Sequence, residues 1–472
     1  GTMYLGKLQG FGQRFDPPDP SPYLEALQPY CKEYQRSKVT LSLIRQDIKK
    51  CESNINSVRP NDYLLDEAVR RASRAFRLKE QVPVMHLNDV FKQDLPIWSS
   101  SPGLPWSTHG YRTKAELRDN PECVQSIRWF WHRIKCGQHV SLPDCCAYIR
   151  THICKAGDTK VRAVWGYPAT VTIAEGMFAI PLIRAFKTFK TPLAYGFETG
   201  VGGMKKIWKR FQHKYSLGID FSNFDKTVPA WLIRIAFDIL ALNIDFTKYQ
   251  DSGTPVSGAL IHIYYILQEY MINTKIRMCN GERYLKRSGI ASGSYFTQMV
   301  GSICNYILLQ YAALKSKVEI KDILVFGDDS LIGTDRCFTP DDVASILEPL
   351  GMKVNVEKSG FSRDISRLTF LGFEINEGYP LKDRTKQIAS LVYPERPDNS
   401  WDDVATRALG ILYANMGVDH VIDFWCRQIV TFRDFDLALT RNQQKLLDVL
   451  QVGELKKEPP DIFEFMRRLR VI

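Results

Sequence analysis

The sequence predicts an α+β protein with helix-rich ends and a mixed middle. Two short apolar segments flank Gly-Asp-Asp between residues 323 and 332, which predicts two strands joined by a tight turn. Between residues 231 and 244 the apolar residues recur with helical spacing instead. After Tyr379 helical patterns predominate to the end of the chain. Such a dense mixture predicts several layers around one large core.

The elements before the first strand-end aspartate alternate between loops, helices and strands. Residues 1–90 combine Pro-rich stretches with a basic helical segment at 65–81. A Ser/Pro/Gly loop follows at 99–105, and one helix is predicted from Thr113 to Lys135. The alternation of apolar and basic residues at 151–168 predicts a β-hairpin.

The segment after the Gly-Asp-Asp turn carries clear start and stop signals. Thr339 is a good N-cap, Pro340 suits the first helical turn, and Gly351 ends the predicted helix. Residues 352–357 then predict a strand.

Composition bounds the class of protein. The 472 residues allow about three domains, and 44% hydrophobic with 24% charged residues is ordinary for a globular chain. The 11 Cys show no CxxC or Cys/His spacing, which argues against zinc and favours reduced thiols. The longest apolar stretch, near residues 259–272, falls short of the roughly 20 residues that cross a bilayer. The N-terminus lacks a signal pattern, so we expect no membrane association.

Positive charge is concentrated in one part of the chain. The formal net charge is +11, and residues 150–214 carry 12 Lys or Arg against three acidic residues. A charge run is usually a solvated face. Because this stretch holds most of the excess charge, the sequence favours a surface that binds a polyanion such as RNA.

Two pairs of aspartates mark the ends of predicted strands. Residues 215–221 predict an apolar strand that reaches Asp220, and Asp225 follows shortly after it. Asp328 and Asp329 occupy the predicted turn. A strand end beside a turn would offer carboxylates from different strands, which suits Mg²⁺ with water and phosphate completing its shell. Each group alone is also compatible with a capping or turn role, so both interpretations stay open here.

A Gly/Ser-rich loop lies between the two aspartate pairs. Residues 288–294 run directly into an amphipathic helix that begins near Thr297. Small residues let backbone N–H groups approach a ligand, and a helix N-terminus favours anions. By itself such a loop is weak evidence for a site.

In the order Asp-x4-Asp, Ser-Gly-x3-Thr and Gly-Asp-Asp, these motifs resemble the palm of viral RNA-dependent RNA polymerases. The resemblance extends over most of the chain and is most specific between Asp220 and Gly372. The segments DFSNFDKTVPAWLI, SGSYFTQMV and GDDSL are most similar to those of the partitiviruses, which have double-stranded RNA genomes. The resemblance implies a right-hand polymerase with an antiparallel palm sheet and helix-rich fingers and thumb.

The resemblance also implies a division of the chain. The segments are 1–90 for an N-terminal extension bridging fingers and thumb, 91–215 for fingers, 216–240 for palm, 241–285 for fingers, 286–378 for palm, and 379–472 for the thumb and C-terminal tail.

The implied catalytic centre uses two divalent ions, Mg²⁺ or Mn²⁺. Asp220 and Asp328 would be the principal ligands, with Asp329 a nearer or outer partner. The backbone carbonyl of Phe221 would complete the shell. Lys358, on a loop after the palm, would be the general acid for the leaving pyrophosphate.

A second implied set would bind the incoming nucleotide. Asp225 would help to select the ribose 2′-hydroxyl, a place where reverse transcriptases usually have an aromatic residue. Gly301 stands where many related polymerases have Asn, so Asn305, farther along the same helix, is taken as the ribose contact. The whole set is Lys160, Arg162, Asp225, Ser292, Thr297 and Asn305.

A third implied set would contact template and primer. Residues 99–106 resemble the template-entrance loop, and residues 367–373 resemble the hairpin that holds the primer's 3′ end. The whole set is Lys155, Ser101, Gly103, Pro105, Gly289, Gly293, Leu371 and Gly372.

The implied function is template-directed transfer of nucleotides from NTPs to an RNA 3′-hydroxyl, for replication and transcription of a double-stranded RNA genome. Initiation without a primer is expected, supported by Tyr393 or Trp401. The implied partners are RNA template and product, NTPs and a viral capsid protein. We expect a monomer, located inside the virion and in the host cytoplasm.

Two other functions stay open from the sequence. A reverse transcriptase is opposed by Asp225 and by Gly327 in place of the usual Tyr-x-Asp-Asp surroundings. A non-catalytic RNA-binding protein would need only the basic segment, and it leaves Asp220, Asp328 and Asp329 unexplained.

Overall fold

The computed structural model describes residues 3–158 and 161–472. The α-helices in this part of the chain are α1 (Leu41–Lys49), α2 (Tyr63–Ala75), α3 (Leu87–Val90), α4 (Lys114–Arg118), α5 (Pro121–Lys135), α6 (Ala169–Thr188), α7 (Gly203–Arg210), α8 (Phe224–Thr227), α9 (Ala230–Ala241), α10 (Ala259–Ile272), α11 (Thr297–Lys315), α12 (Pro340–Leu347), α13 (Arg384–Val392), α14 (Trp401–Asn415), α15 (His420–Phe432), α16 (Arg441–Leu450) and α17 (Ile462–Arg468).

The β-strands are short and form several sheets. They are β1 (Met3–Lys7), β2 (Tyr34–Arg36), β3 (Val82–Val84), β4 (Cys145–Arg150), β5 (Ile153–Lys155), β6 (Arg162–Gly166), β7 (Tyr215–Gly218), β8 (Ile244–Tyr249), β9 (Lys275–Arg277), β10 (Glu282–Leu285), β11 (Ile320–Phe326), β12 (Asp329–Thr334), β13 (Gly360–Ser362), β14 (Thr369–Phe370) and β15 (Phe373–Glu374).

The sheet that matters for the site has four antiparallel strands in the order β11-β12-β7-β13. The predicted strands on either side of Gly-Asp-Asp are β11 and β12, so that prediction is confirmed. β7 pairs with both β12 and β13, with Leu217 opposite Ile332 and Phe361. The C-terminal end of β7 therefore lies beside the turn between β11 and β12.

Two hydrophobic clusters cover the two faces of this sheet. Because side chains alternate along a strand, Val325 and Ile332 face a large cluster that includes α6, α9 and α11. Leu324 and Leu331 face a second cluster built mainly from α13, α14 and α15. Burial on both faces holds the sheet rigidly, which suits a platform for reactive side chains.

The N-terminal segment contacts widely separated parts of the chain. β1 adds an edge strand to the five-stranded sheet β1-β10-β9-β4-β6, and β2 pairs with β5. The Ser21 N–H donates to the carbonyl of Val392 at 2.7 Å, and Tyr30 packs against Trp425. These contacts agree with an extension that bridges two regions, while the predicted domain limits stay a prediction.

The helix predicted from Thr113 to Lys135 is two helices, α4 and α5. The chain leaves helical geometry at Asn120, because Pro121 disfavours a helical residue before it. The side chain of Asn120 instead caps α5 by accepting the N–H of Glu122 at 3.0 Å. The sequence signal for this break was present and was missed.

Two strand predictions were also wrong. Residues 151–168 do not form one hairpin: β6 pairs with β4, and β5 pairs with β2 of the N-terminal segment. Residues 352–357 form only a single bridge, between Val354 and Phe221. In both places a partner distant in sequence takes the backbone hydrogen bonds that a local strand pair would have used.

The long apolar helix α6 was not predicted. It contains a window long and apolar enough to cross a bilayer, which corrects the expectation that residues 259–272 are the longest such stretch. Within the described residues, 83% of that window is buried inside the protein. Core helices commonly meet the same criteria, and α6 packs in the larger hydrophobic cluster.

Candidate active site

The Gly-Asp-Asp turn is supported from below by α11. Gly327 has a φ of +62°, a conformation that glycine adopts without strain. Its N–H donates to Ser302 Oγ at 2.8 Å. The side-chain amide of Asn305 donates to the carbonyls of Gly327 and Asp329, at 3.1 Å each. These bonds fix the turn so that Asp328 stands in the cleft above it.

Asp220 follows β7 by two residues and is held by the loop after α12. Its N–H donates to Ser359 Oγ at 2.9 Å, and its carbonyl accepts the N–H of Asn355 at 2.7 Å. Pairing of β7 with β12 brings Asp220 and Asp328 to one cleft of about 590 Å³. Lys358 lines the same cleft.

A second cavity of about 490 Å³ adjoins the first, and Asp220, Asp328 and Lys358 line both. Arg162 of β6 and Asp225 of α8 also line this second cavity. The structure thus brings together five side chains that the sequence assigned to catalysis or nucleotide binding. Phe221 and Ser292, also assigned to the site, lie along its wall.

Asp329 lines the same cleft, and its carboxylate also accepts backbone N–H groups. It accepts the N–H of Leu371 at 2.7 Å and that of Ser330 at 3.1 Å. Burial raises the pKa of Asp329 to about 7, although the bond from Leu371 opposes this shift. The charges of Asp328 and Asp220 raise the pKa further.

The carboxyls that face the cavities also have raised pKa values. Burial raises the pKa of Asp225 to about 6, and the charge of Asp328 adds to the effect. Solvent reaches Asp328, but protein surrounds most of it, so desolvation raises its pKa as well. Arg162 opposes both shifts. Even with the positive charge of Arg162 nearby, the protein only partly stabilises the negative charges of Asp225 and Asp328.

This arrangement fits a divalent cation held by few protein ligands. Among residues 3–158 and 161–472, no three His, Cys, Asp or Glu side chains converge at metal-ligand spacing. Asp220, Asp328 and Asp329 all line the cleft, and the Asp329 carboxylate is also engaged by two backbone amides. Mg²⁺ commonly takes one or two carboxylates and fills its shell with water and substrate phosphate, and the donor set here suits that mode.

The Gly/Ser-rich loop packs between Asp225 and β6. A Cβ on Gly289 would lie 2.8 Å from the Asp225 carbonyl, and one on Gly293 would lie 1.8 Å from the carbonyl of Trp165. The hydroxyl of Ser292 accepts the N–H of Trp165 at 3.2 Å. The two glycines therefore allow close backbone packing, and the loop positions Asp225 relative to the basic strand.

Two buried charged side chains hold the ends of this loop, and sequence reasoning missed both. Glu175 of α6 accepts the hydroxyl of Ser294 and the N–H of Tyr295, and burial raises its pKa to about 8. Lys286 lies before the loop, fully buried, and burial lowers its pKa to about 8. Its ammonium donates to four backbone carbonyls, those of Met271, Ile272, Ser288 and Gly289.

A buried contact from the N-terminal segment holds the basic strand. Asp47 of α1 accepts the N–H of Ala163 at 2.7 Å, and its carboxylate lies 3.5 Å from the ammonium of Lys226. Lys226 also lies over the ring of Trp165 at 4.0 Å. An aspartate on the apolar face of an amphipathic helix was the signal that could have pointed to Asp47.

Asn305 and Thr297 occupy positions different from those expected of ribose contacts. Asn305 is fully buried, and its amide nitrogen is used by the Gly-Asp-Asp turn. The hydroxyl of Thr297 donates to the carbonyls of Ala291 and Ser294, at 2.5 and 2.9 Å. Neither residue lines the two cavities, since tertiary packing turns both toward the backbone.

The residues proposed for template and primer lie outside the two cavities. Ser101 Oγ is 3.1 Å from the hydroxyl of Tyr148. Gly103 and Pro105 belong to the same loop, and a Cβ on Gly103 would lie 2.7 Å from the carbonyl of Tyr167. Lys155 is exposed in β5, so the structure does not bring its side chain to the cavities. Lys160 lies outside the described residues.

The predicted bend at Leu371 and Gly372 is present. The two residues join β14 to β15 with φ values of +54° and +81°, and Phe370 pairs with Phe373 across them. Both central φ values are positive, as in a two-residue hairpin turn that favours glycine. The Leu371 N–H of this turn is the one that binds Asp329.

Strand-end and turn aspartates on one antiparallel sheet, facing a cavity with a basic strand on its far side, define a template-directed nucleotide polymerase of the palm type. The profile of the viral RNA-dependent RNA polymerase family matches residues 7–413, and the chain belongs to that family. The predicted enzyme class is confirmed. Members of this family use divalent metal ions.

Relatives from double-stranded RNA viruses support the same assignment. The RNA-directed RNA polymerase of Cryptosporidium parvum virus 1 is 27% identical over 434 residues, which cover 86% of this chain and 78% of that protein. The polymerase of Atkinsonella hypoxylon virus is 25% identical over 60% of this chain. That of White clover cryptic virus 1 is 25% identical over 57%. The chain spans about half the length of the latter two, at 50% and 48%.

Solved structures agree on the fold. The Sicinivirus RNA-dependent RNA polymerase superposes with a TM-score of 0.69 at 16% identity, covering 94% of this chain and 98% of its own. An insertion-loop deletion mutant of a human picobirnavirus polymerase gives 0.62 at 16% identity, covering 88% and 81%. The chain has the right-hand polymerase fold that the sequence predicted.

Proposed function

We propose that this polymerase transfers nucleotides from NTPs to an RNA 3′-hydroxyl by a two-metal mechanism, in replication and transcription of a double-stranded RNA virus genome. One observation carries the proposal: Asp220, just after β7, and Asp328, in the turn between β11 and β12, face a cavity that Arg162 and Asp225 also line. One cavity is thus lined by carboxylates suited to cations, by a guanidinium suited to phosphates, and by Asp225, a polar group suited to the ribose.

The proposed ion-binding residues are Asp220 and Asp328, with the carbonyl of Phe221 as a further ligand. When two Mg²⁺ or Mn²⁺ ions are bound, they acidify the attacking hydroxyl and stabilise the leaving oxygen. Asp329 lines the cleft as well, and it is assigned a supporting role because its carboxylate is bound by the Leu371 N–H. Its role is to position the turn that carries Asp328.

The basic side chains of the cavity are proposed to bind and neutralise the triphosphate. Arg162 can make paired contacts with phosphate oxygens, for which a guanidinium is well shaped. Lys358 lines both cavities and is proposed to protonate the leaving pyrophosphate. Asp225 is proposed to accept a hydrogen bond from the ribose 2′-hydroxyl, which would favour ribonucleotides over deoxyribonucleotides.

Initiation without a primer is part of the proposal, but Tyr393 and Trp401 line neither cavity. The carbonyl of Tyr393 accepts the Arg36 side chain, and Trp401 packs against Tyr23. We propose further that the enzyme is a monomer that works with a viral capsid protein, inside the virion and in the host cytoplasm, without a membrane. The similarity to polymerases of double-stranded RNA viruses supports the viral context of this proposal.

The direct test is nucleotide incorporation by purified protein on single-stranded RNA, with NTPs and Mg²⁺ or Mn²⁺ and no primer. Asp220→Asn and Asp328→Asn keep side-chain size and remove the charge. Asp341→Asn, at an exposed position in the first turn of α12, is the matched control.

Template-length product from the wild type and the control, with none from the two site variants, is the expected result. A parallel reaction with dNTPs tests the reverse-transcriptase alternative. Unchanged product in both site variants would contradict the proposed site. If product forms only when a primer is supplied, primer independence is contradicted, but the proposed catalytic site is not.

A further inference from the structure

A cavity of about 330 Å³ lies away from the catalytic cleft, between α3 and α5. Its polar and aromatic lining includes His86, Asn88, Arg128, Trp129, His132 and Lys135. None of these residues takes part in the site described above. We call this feature the α5 pocket.

The helix α5 presents this pocket on the face opposite the core. The buried face of α5 holds Cys123, Ile127, Trp131 and Ile134. The pocket residues recur at helical spacing on the other side, as positions 125, 128, 129, 132 and 135. Packing in the core explains the apolar side chains on the buried face of α5. It does not explain the polar and aromatic side chains that line the pocket.

An aromatic pair forms one wall of the α5 pocket. Trp129 is 55% exposed, which is unusual for so large an apolar side chain. Its ring stacks on His132, with centroids 5.5 Å apart and 28° between the planes. An exposed, oriented indole can stack on a nucleic-acid base of any sequence.

The charge lining the α5 pocket is positive. Arg128 and Lys135 line it, and no acidic side chain does so among the described residues. Burial lowers the pKa of Lys135, so a bound anion would stabilise its charge. The Nδ1 atom of His86 accepts the N–H of Asn88, so the neutral ring carries its proton on Nε2 as a donor. This combination complements a phosphate group.

The same helix is joined to the segment that resembles a template entrance. Trp131, on the buried face of α5, donates to the carbonyl of Thr170 at 2.8 Å. Trp106, at the end of segment 99–106, donates to the hydroxyl of the same Thr170 at 3.2 Å. The α5 pocket thus lies on the far face of a helix that shares a contact residue with this segment.

We propose that the α5 pocket binds one nucleotide of the unpaired template strand outside the catalytic cleft. The base stacks on Trp129, and the phosphate is bound by Arg128 and Lys135. This inference rests on the proposed function, because it requires that the enzyme draws in a single-stranded RNA template. A free nucleotide shares the same chemistry, so the test must separate the two sources.

The test uses the full chain and primer–template RNAs that differ only in the length of the unpaired 5′ template overhang. A short overhang of about 4 nucleotides spans too little length to leave the cleft, whereas about 16 nucleotides can reach an outer surface. The wild type is expected to bind the long-overhang RNA more tightly. Trp129→Ala is expected to weaken that binding about tenfold and to leave short-overhang incorporation unchanged.

Matched controls isolate the pocket from general effects. Phe424→Ala removes an aromatic ring of similar exposure on α15. This variant should bind both the short-overhang and the long-overhang RNA as tightly as the wild type does. Trp129→Phe should restore most of the long-overhang affinity, because it keeps a ring. Arg128→Gln should lower the affinity and reduce its dependence on salt.

A second measurement needs no variant. Photo-crosslinking of wild-type protein to long-overhang RNA with 5-iodouridine at successive overhang positions should label the peptide that contains Trp129. UMP and inorganic phosphate, added as competitors, should leave this label largely intact. Crosslinks found only on peptides that lack Trp129 would overturn the inference. Equal affinity of the wild type for the two overhang lengths would overturn it as well.

The outcomes also separate this inference from the proposed function. No incorporation on the short-overhang RNA would contradict the polymerase activity itself. Normal incorporation with no effect of overhang length would contradict only the α5 pocket. Loss of the crosslink with UMP, without any effect of overhang length, would overturn the RNA assignment in favour of a free nucleotide.

Discussion

Charged side chains serve opposite purposes in the catalytic cleft and in the loop beside it. In the cleft, Asp220 and Asp328 face a shared space, and burial raises the pKa of Asp328. Around the loop, Lys286 is surrounded by four carbonyls, and Glu175 accepts two hydrogen bonds. Charges directed at the substrate are left for cations to neutralise, whereas the polar groups directed at the core are satisfied by hydrogen bonds within the fold.

The largest expected effect separates activity from stability at the cleft. Asp328→Asn should lower nucleotide incorporation by at least about 10³-fold, because a proposed metal ligand is lost. Its thermal unfolding midpoint should stay the same or rise, since the substitution removes the repulsion with Asp220. Incorporation assays and thermal unfolding of the same preparation measure both. A lower midpoint would show that the negative charge of Asp328 stabilises the fold, which would contradict the difference between the cleft and the loop.

The next effect concerns a charge that the fold satisfies. Lys286→Met should lower the free energy of unfolding by about 3–5 kcal/mol, because the buried carbonyls lose their donor. Denaturant unfolding measures this, with Lys248→Met at an exposed strand position as the control. A loss no larger than that of the control would mean that the carbonyls find other donors.

Asn305 tests whether the Gly-Asp-Asp turn needs its support from α11. Asn305→Ala should lower kcat by about 10–100-fold, because the carbonyls of Gly327 and Asp329 lose their donor. The KM for NTPs and the preference for ribonucleotides should change little. A rise in KM together with weaker ribose discrimination would instead restore the ribose contact predicted from sequence.

The last prediction is a dependence of stability on pH. The pKa of Glu175 is raised from 4.5 to about 8. The folded state therefore retains a proton that the unfolded state loses above about pH 4.5, and stability falls as pH rises toward 8. The slope from this group is at most about 1.4 kcal/mol per pH unit. Glu175→Gln should flatten the unfolding free energy between pH 5 and about 8, and an unchanged slope would count against this assignment.

The local chemistry of the sequence predicted the cleft well. The strands around Gly-Asp-Asp follow from residues adjacent in sequence, so the pattern carried the information, whereas the bend at Leu371 came from the family resemblance. The helix from Pro340 was predicted for the same reason, and its capping box with Thr339 is present. The convergence of Asp220 and Asp328 came from the family resemblance, because strand order is not encoded locally.

What sequence reasoning missed depends on contacts between distant residues. Asp47 binds the backbone at Ala163, and Glu175 binds the loop at Tyr295. No periodicity reports such partners. Asn305 was placed on the correct helix, but its hydrogen bonds were decided by the turn packed above it. Tertiary packing, rather than local propensity, determined each of these roles.

The hydrogen bond from the Leu371 N–H to Asp329 makes the catalytic turn sensitive to displacement. At 2.7 Å it is short, and hydrogen bonds weaken steeply once they lengthen beyond their normal range. A shift of the 369–374 hairpin by about an ångström would break it. The pKa of Asp329 would then rise further, because that bond is the larger of the two backbone hydrogen bonds that lower it. The pKa of the Asp329 carboxyl therefore depends on the position of the neighbouring hairpin.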